Sequence, residues 1–153
     1  MAFDIKRTLQ MVQTYVGASG YVSDCVIGEP KNAPQAQERP FAAVYMDNVS
    51  VYGLTVGGST REIHILVVRL YLDMKKEPSE EIEIELAQAV QEVVSDILED
   101  SDLGGNVMTV DPAGMAGESM TAVWGYQDVS GLMYRVADIR VPILVDDSAT
   151  MAV

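Results

Sequence analysis

Residues 63–73, IHILVVRLYLD, constrain the fold more than any other part of the chain. In an extended backbone, Ile63, Ile65, Val67 and Tyr71 share one face, while Leu66, Val68, Leu70 and Leu72 share the other. A strand apolar on both faces needs cover on both. It reads as a central strand with a helix on one side and a second layer or another subunit on the other. The remaining segments must be arranged around it.

The helix to cover it is predicted over 79–100, where Ile82, Leu86, Ala89, Val90, Val93 and Ile97 recur at helical spacing. Ser79 is the expected N-cap, and Glu80, Glu81 and Glu83 suit the positive end of the helix dipole. A shorter helix is predicted from Asp4, as cap, to about Val16, with Ile5, Leu9, Val12 and Val16 in one stripe. Strands are expected at 21–27, 41–46, 49–52, 107–110, 120–126 and 132–145, with a turn at Asp47 and Asn48. Turn formers at 128–131 join the last two strands as an antiparallel hairpin. Three glycine- or proline-rich excursions, 28–40, 53–60 and 111–119, read as long loops, and 146–153 as a loose tail. The expected architecture is α+β: a single domain over 1–153, with a mostly antiparallel sheet packed against one long helix and a shorter N-terminal helix.

Composition narrows the function classes. Apolar residues make up 48% of the chain, enough for one core, yet the longest apolar runs fall far short of the ~20 residues of a membrane span. No membrane partner is expected. The N-terminal residues lack the apolar stretch of a signal peptide, and the single cysteine, Cys25, excludes an internal disulfide. Synthesis in a reducing cytoplasm is the natural expectation. The formal net charge of −13 opposes gripping of nucleic acid, because phosphate neutralisation needs Lys and Arg.

The search for reactive groups finds little. His64, the only histidine, lies in the central strand on the face of Leu66 and Val68, where a core or interface role fits better than catalysis. Cys25 alternates with apolar neighbours and reads as a buried structural thiol. One His and one Cys give no metal-ligand spacing, and Glu80, Glu81, Glu83 and Glu85 lack the pattern of a calcium loop. Gly57, Gly58, Ser59 and Thr60 are followed by Arg61 and a strand, unlike a phosphate-binding loop. Asn48, Val49 and Ser50 fit a glycosylation acceptor, which means nothing without secretion. No enzyme activity, cofactor or metal is expected. What stands out is loop chemistry: Gly53, Leu54, Val56, Gly57, Gly58, Met115 and Met120 place apolar or backbone-exposing residues in or beside the excursions, which suggests contact with partners.

Over roughly residues 3–146 the order, size and character of the elements resemble the tail terminator (tail completion) proteins of long-tailed bacteriophages. The resemblance is carried by DIKRTLQMVQTYV, RPFAAVYMD, REIHILVVRLYLD, SEEIEIELAQAVQEVVSDIL and YRVADIRVPILVDD taken together. It implies a structural virion protein of the tail or neck, made in the host cytoplasm. Such a protein forms a ring of six copies on the tail tube protein, ends tube growth and meets the head-tail connector proteins. Double-stranded DNA would pass its lumen without specific binding. A head-side connector or head-closure protein is the alternative within virions. A cytoplasmic ligand-binding or chaperone-like module is the alternative outside them.

Overall fold

In the computed structural model, residues 4–32, 39–54, 60–75, 78–100, 109–115, 117 and 119–146 are described. Asp4 caps the first helix, α1 (Ile5–Gly17), its carboxylate accepting the Arg7 backbone N–H at 3.1 Å. The second helix, α2 (Ser79–Glu99), follows its predicted stripe: Ile82, Leu86, Ala89, Val90, Val93 and Ile97 are all buried. Its cap differs from expectation. Pro78 occupies the N-cap and Ser79 is the first helical residue, so Glu80 and Glu81 at the dipole's positive end support this start without a side-chain cap.

The strands are β1 (Asp24–Ile27), β2 (Phe41–Leu54), β3 (Thr60–Asp73), β4 (Thr109–Val110), β5 (Thr121–Val129) and β6 (Leu132–Asp146). They form one sheet in the order β1-β2-β3-β6-β4, with β5 paired to β6 beside β4. β1 runs parallel to β2, and every other pairing is antiparallel.

This architecture corrects the expected fold class. Among the described residues strand outweighs helix, and the sheet curls into half a barrel in place of an α+β layer built on one long helix. The cause is strand length. β2, β3 and β6 run 14, 14 and 15 residues, against a usual ~5–6, and right-handed twist accumulates along such strands. β2 is also continuous where a turn was expected. Asp47 and Asn48 are absorbed by a register shift between Met46 and Asn48, and a second shift follows between Val51 and Gly53; both bend the strand further. Asp146, expected in the loose tail, is the last residue of β6. The rest of that tail and residues 107 and 108 lie outside the described residues.

Both helices pack on one face of the sheet. Val12 and Val16 of α1 and Leu86, Val93 and Ile97 of α2 join Leu66, Val68, Leu70, Ile139, Val141 and Ile143 in one buried cluster. Removing a leucine of this kind from water is worth about 2 kcal/mol. The opposite face carries a smaller cluster of Ala43, Tyr71, Val129, Tyr134 and Val136. There Tyr71 meets Tyr134 edge-on at 6.0 Å. β3 is therefore central and apolar on both faces, with β2 and β6 on its flanks.

Candidate assembly surface

The sheet is open at two places among the described residues. β1 covers β2 only over Phe41 to Val44, so the far edge of β2 has no paired strand over 47–54. At the other side, β5 pairs β6 alone and its second edge is open along its whole length. An open edge presents backbone N–H and C=O groups to any strand that arrives, and proteins commonly blunt such edges with Lys or Pro. β5 and residues 47–54 contain neither.

Exposed apolar side chains line both edges. Val49 and Val51 are 51% and 65% exposed, and Val123 and Tyr126 are each 60% exposed. Cross-strand register assigns their faces. Val49 lies opposite His64 and Val51 opposite Glu62, on the helix-bearing face. Tyr126 lies opposite Arg135 on that same face, and Val123 lies opposite Asp138 on the other.

Two arginines reach β5, one on each face of the sheet. On the helix face, Arg135 donates from Nε to Glu83 Oε1 of α2 at 2.5 Å and from Nη1 to the Gly125 carbonyl at 3.2 Å. Its guanidinium also sits 4.6 Å from the centre of the Tyr126 ring. The hydrogen bond to Glu83 is the main reason its pKa rises above the ordinary arginine value. On the opposite face, Arg69 Nε and Nη2 donate to the two oxygens of Asp138 at 2.6 and 2.9 Å. Its Nη1 reaches Glu29 at 2.6 Å and Gln127 of β5 at 3.4 Å. One side chain thus ties the segment after β1 to β3, β6 and β5.

The residues singled out from sequence are scattered across this frame. Gly53 and Leu54 end β2, with Gly53 facing Arg61 and Leu54 facing Thr60 in register, so the second excursion begins inside a long hairpin. Val56, Gly57 and Gly58 lie outside the described residues. Met115 is 88% exposed, while Met120 packs partly buried against the main core. Both are tied to the start of the third excursion: Asp111, itself buried, accepts the Met115 N–H at 3.0 Å, and Met120 N–H reaches the Pro112 carbonyl at 3.1 Å. Val49, Val51, Val123 and Tyr126 were not singled out. For β5 the available signal was a strand bearing Val123, Trp124 and Tyr126 on both faces with no Lys or Pro to guard it.

His64 is buried, with Nε2 3.1 Å from Glu62 Oε1 on the same strand. Cys25 is buried under α1, and burial, helped by the charge of Asp24, pushes its thiol up to about 12. Such a thiol is a poor nucleophile. No group of three His, Cys, Asp or Glu side chains is poised to hold a metal among the described residues. Beside α2 a groove of about 680 Å³, lined by Tyr21, Arg39, Glu81, Ile84 and Gln88, is wide open to solvent. No helix is long and apolar enough to cross a membrane among the described residues. No protein-family model and no curated protein matches the chain.

Proposed function

We propose that the protein is a structural subunit of a bacteriophage tail or neck, closing with copies of itself into a ring that caps the tail tube. The observation that carries this reading is the pair of open sheet edges, each lined with exposed apolar side chains, on one half-barrel sheet. A subunit with two distinct sticky edges joins head to tail, and such contacts close into a ring when the rotation between copies allows. The acidic balance supports a lumen that DNA passes without being held: −13 per copy leaves little with which to displace counterions from phosphate. Buried, strand-bound positions for His64 and Cys25 also suit a scaffold better than an enzyme.

Native mass spectrometry of the purified protein, with negative-stain images of the same sample, tests the reading. A closed ring of six copies is the expected result. A chain that stays monomeric at high concentration overturns it.

A further inference from the structure

The open edges belong to strands separated by three antiparallel steps: β2 to β3, β3 to β6 and β6 to β5. β5 and β2 therefore run in opposite directions within one molecule. When a second copy is set beside the first with its helices on the same side, its β5 arrives antiparallel to the first copy's β2. That is the more stable of the two ladder geometries. We propose that copies of this chain join by this pairing, with β5 of one copy zipped onto residues 47–54 of the next, so that the half-barrel sheet continues from subunit to subunit. The pairing rests on the homo-oligomer proposed above and names the elements that make it.

Three further observations select this occupant. The first is side-chain fit. Tyr126 stands on the helix-bearing face, and so do Val49 and Val51. In the continued sheet an aromatic ring from one copy covers two β-branched residues of the next, a favourable cross-strand combination. Val123, on the other face, falls beside Asn48 and Ser50. The second is valence. Pairing β5 with β5 about a two-fold axis would stop at two copies and leave both β2 edges open, whereas β5 on β2 uses both edges of every copy.

The third is placement. β5 spans Leu132 to Arg140 of β6, level with the end of β2 that β1 already occupies. The open stretch of β2 lies level with the other end of β6. The two edges thus sit at diagonal corners, so joined copies are staggered and their strands tilt against the ring axis. Closed barrels impose the same relation, with tilts of about 35–45°.

Engineered disulfides test it. Tyr126→Cys is combined with Val49→Cys or with Val51→Cys in one chain, and the assembled protein is oxidised. Buried Cys25 stays in place, and the parent protein serves as its control. Either double variant should give a covalent ladder extending past the dimer on denaturing gels, while each single variant should give none. A separate variant, Tyr126→Lys, should keep its circular dichroism and melting behaviour yet lose assembly. Rings that form in the parent, together with double variants that give no ladder and a Tyr126→Lys protein that assembles normally, overturn the pairing while leaving the ring intact. Dimers from Tyr126→Cys alone overturn it in favour of a two-fold contact. A parent protein that never assembles overturns the ring reading and this pairing together.

Discussion

Arg69 and Asp138 stand directly opposite each other on β3 and β6, and the guanidinium holds the carboxylate by two bonds, Nε to Oδ1 at 2.6 Å and Nη2 to Oδ2 at 2.9 Å. Two parallel charge-assisted bonds between partly buried side chains make this a bidentate cross-strand pair. The Asp138 hydrogen bond is the chief reason the Arg69 pKa lies above its ordinary range. A raised pKa on a cation means stability present at all pH below the unfolded value and lost only in strong alkali, so neutral pH is the right place to measure it. Asp138→Asn should cost about 2 kcal/mol, as hydrogen bonds to charged groups typically do. Arg69→Met and Asp138→Asn should be non-additive by at least about 1 kcal/mol in a double-mutant cycle followed by urea unfolding. Additive effects would mean that the pair is not coupled.

The hairpin between β5 and β6 offers a second test, through backbone conformation alone. Val129 pairs with Leu132, leaving Ser130 and Gly131 as a two-residue turn with φ of 52° and 85°. Asp128 Oδ1 accepts the Gly131 N–H at 2.9 Å and helps to fix it. Ser130 pays the steric cost of the left-handed region, which Asn tolerates and Gly does not feel. Ser130→Asn should therefore raise stability by about 0.5 kcal/mol. Gly131→Val should lower it by about 1–2 kcal/mol, the usual cost of a side chain in that region. Thermal melts of the two variants should move in opposite directions.

That turn was legible in the sequence because three turn formers, Asp128, Ser130 and Gly131, fall together between two apolar runs. The two helices were legible because their stripes repeat every three or four residues, and β3 because it is apolar on both faces. The continuity of β2 was not. Asp47 and Asn48 are turn formers that tertiary pairing with β3 absorbs as a bulge, and local chemistry cannot distinguish the two outcomes. Splitting β2 concealed how much of the chain is sheet, and with it the curl. The assembly surface suffered similarly. Glycines drew attention to 53–58, but the exposure of Val49, Val51 and Tyr126 depends on how far the helices cover their face, and that of Val123 on what covers the opposite face, neither of which strand periodicity encodes.

Cys25 yields a pH-dependent expectation. Its thiol pKa is raised from 9.0 to about 12, by burial first and by Asp24 second. The native state holds this proton where the unfolded chain has released it. The stability due to the protonated thiol is thus complete below about pH 9 and declines as pH rises towards about 12. Tyr45 and Tyr71 are also raised by burial and add to the same decline, so the comparison must be with Cys25→Ala. The difference in stability between parent and Cys25→Ala should shrink as pH rises from about 9 towards about 12. At neutral pH the native thiol should resist alkylating reagents until urea unfolds the chain. Rapid alkylation of the folded protein would mark the thiol as accessible and would contradict its burial. The double variant Cys25→Ala with His64→Ala, where it folds, should still assemble; failure to assemble would reveal a role for one of these groups beyond packing.

The charge balance and the proposed ring together fix how assembly should respond to salt. Each copy carries −13, and α2 places Glu80, Glu81, Glu83 and Glu99 on exposed surface. Copies brought edge to edge repel over roughly a Debye length, about 30 Å at ~0.01 M salt and about 8 Å at ~0.15 M. The proposed contacts, backbone ladder bonds and the Tyr126, Val49 and Val51 side chains, involve no charge of their own and are little affected by screening. Arg135 and Arg69 are already engaged within their own subunit, so they are not free to form ion pairs across the junction. Raising salt over that range should therefore strengthen assembly, the reverse of a ring held by ion pairs. Sedimentation velocity at several salt concentrations measures it directly. Assembly that weakens as salt rises would mean that intersubunit ion pairs dominate and that the apolar edges are not the contact. If the proposed ring forms, duplex DNA should neither co-sediment with it nor alter its assembly, because a chain with 10 Lys and Arg against 23 Asp and Glu has few cations with which to release counterions. Tight, salt-sensitive DNA binding would overturn the passive lumen without touching the edge pairing.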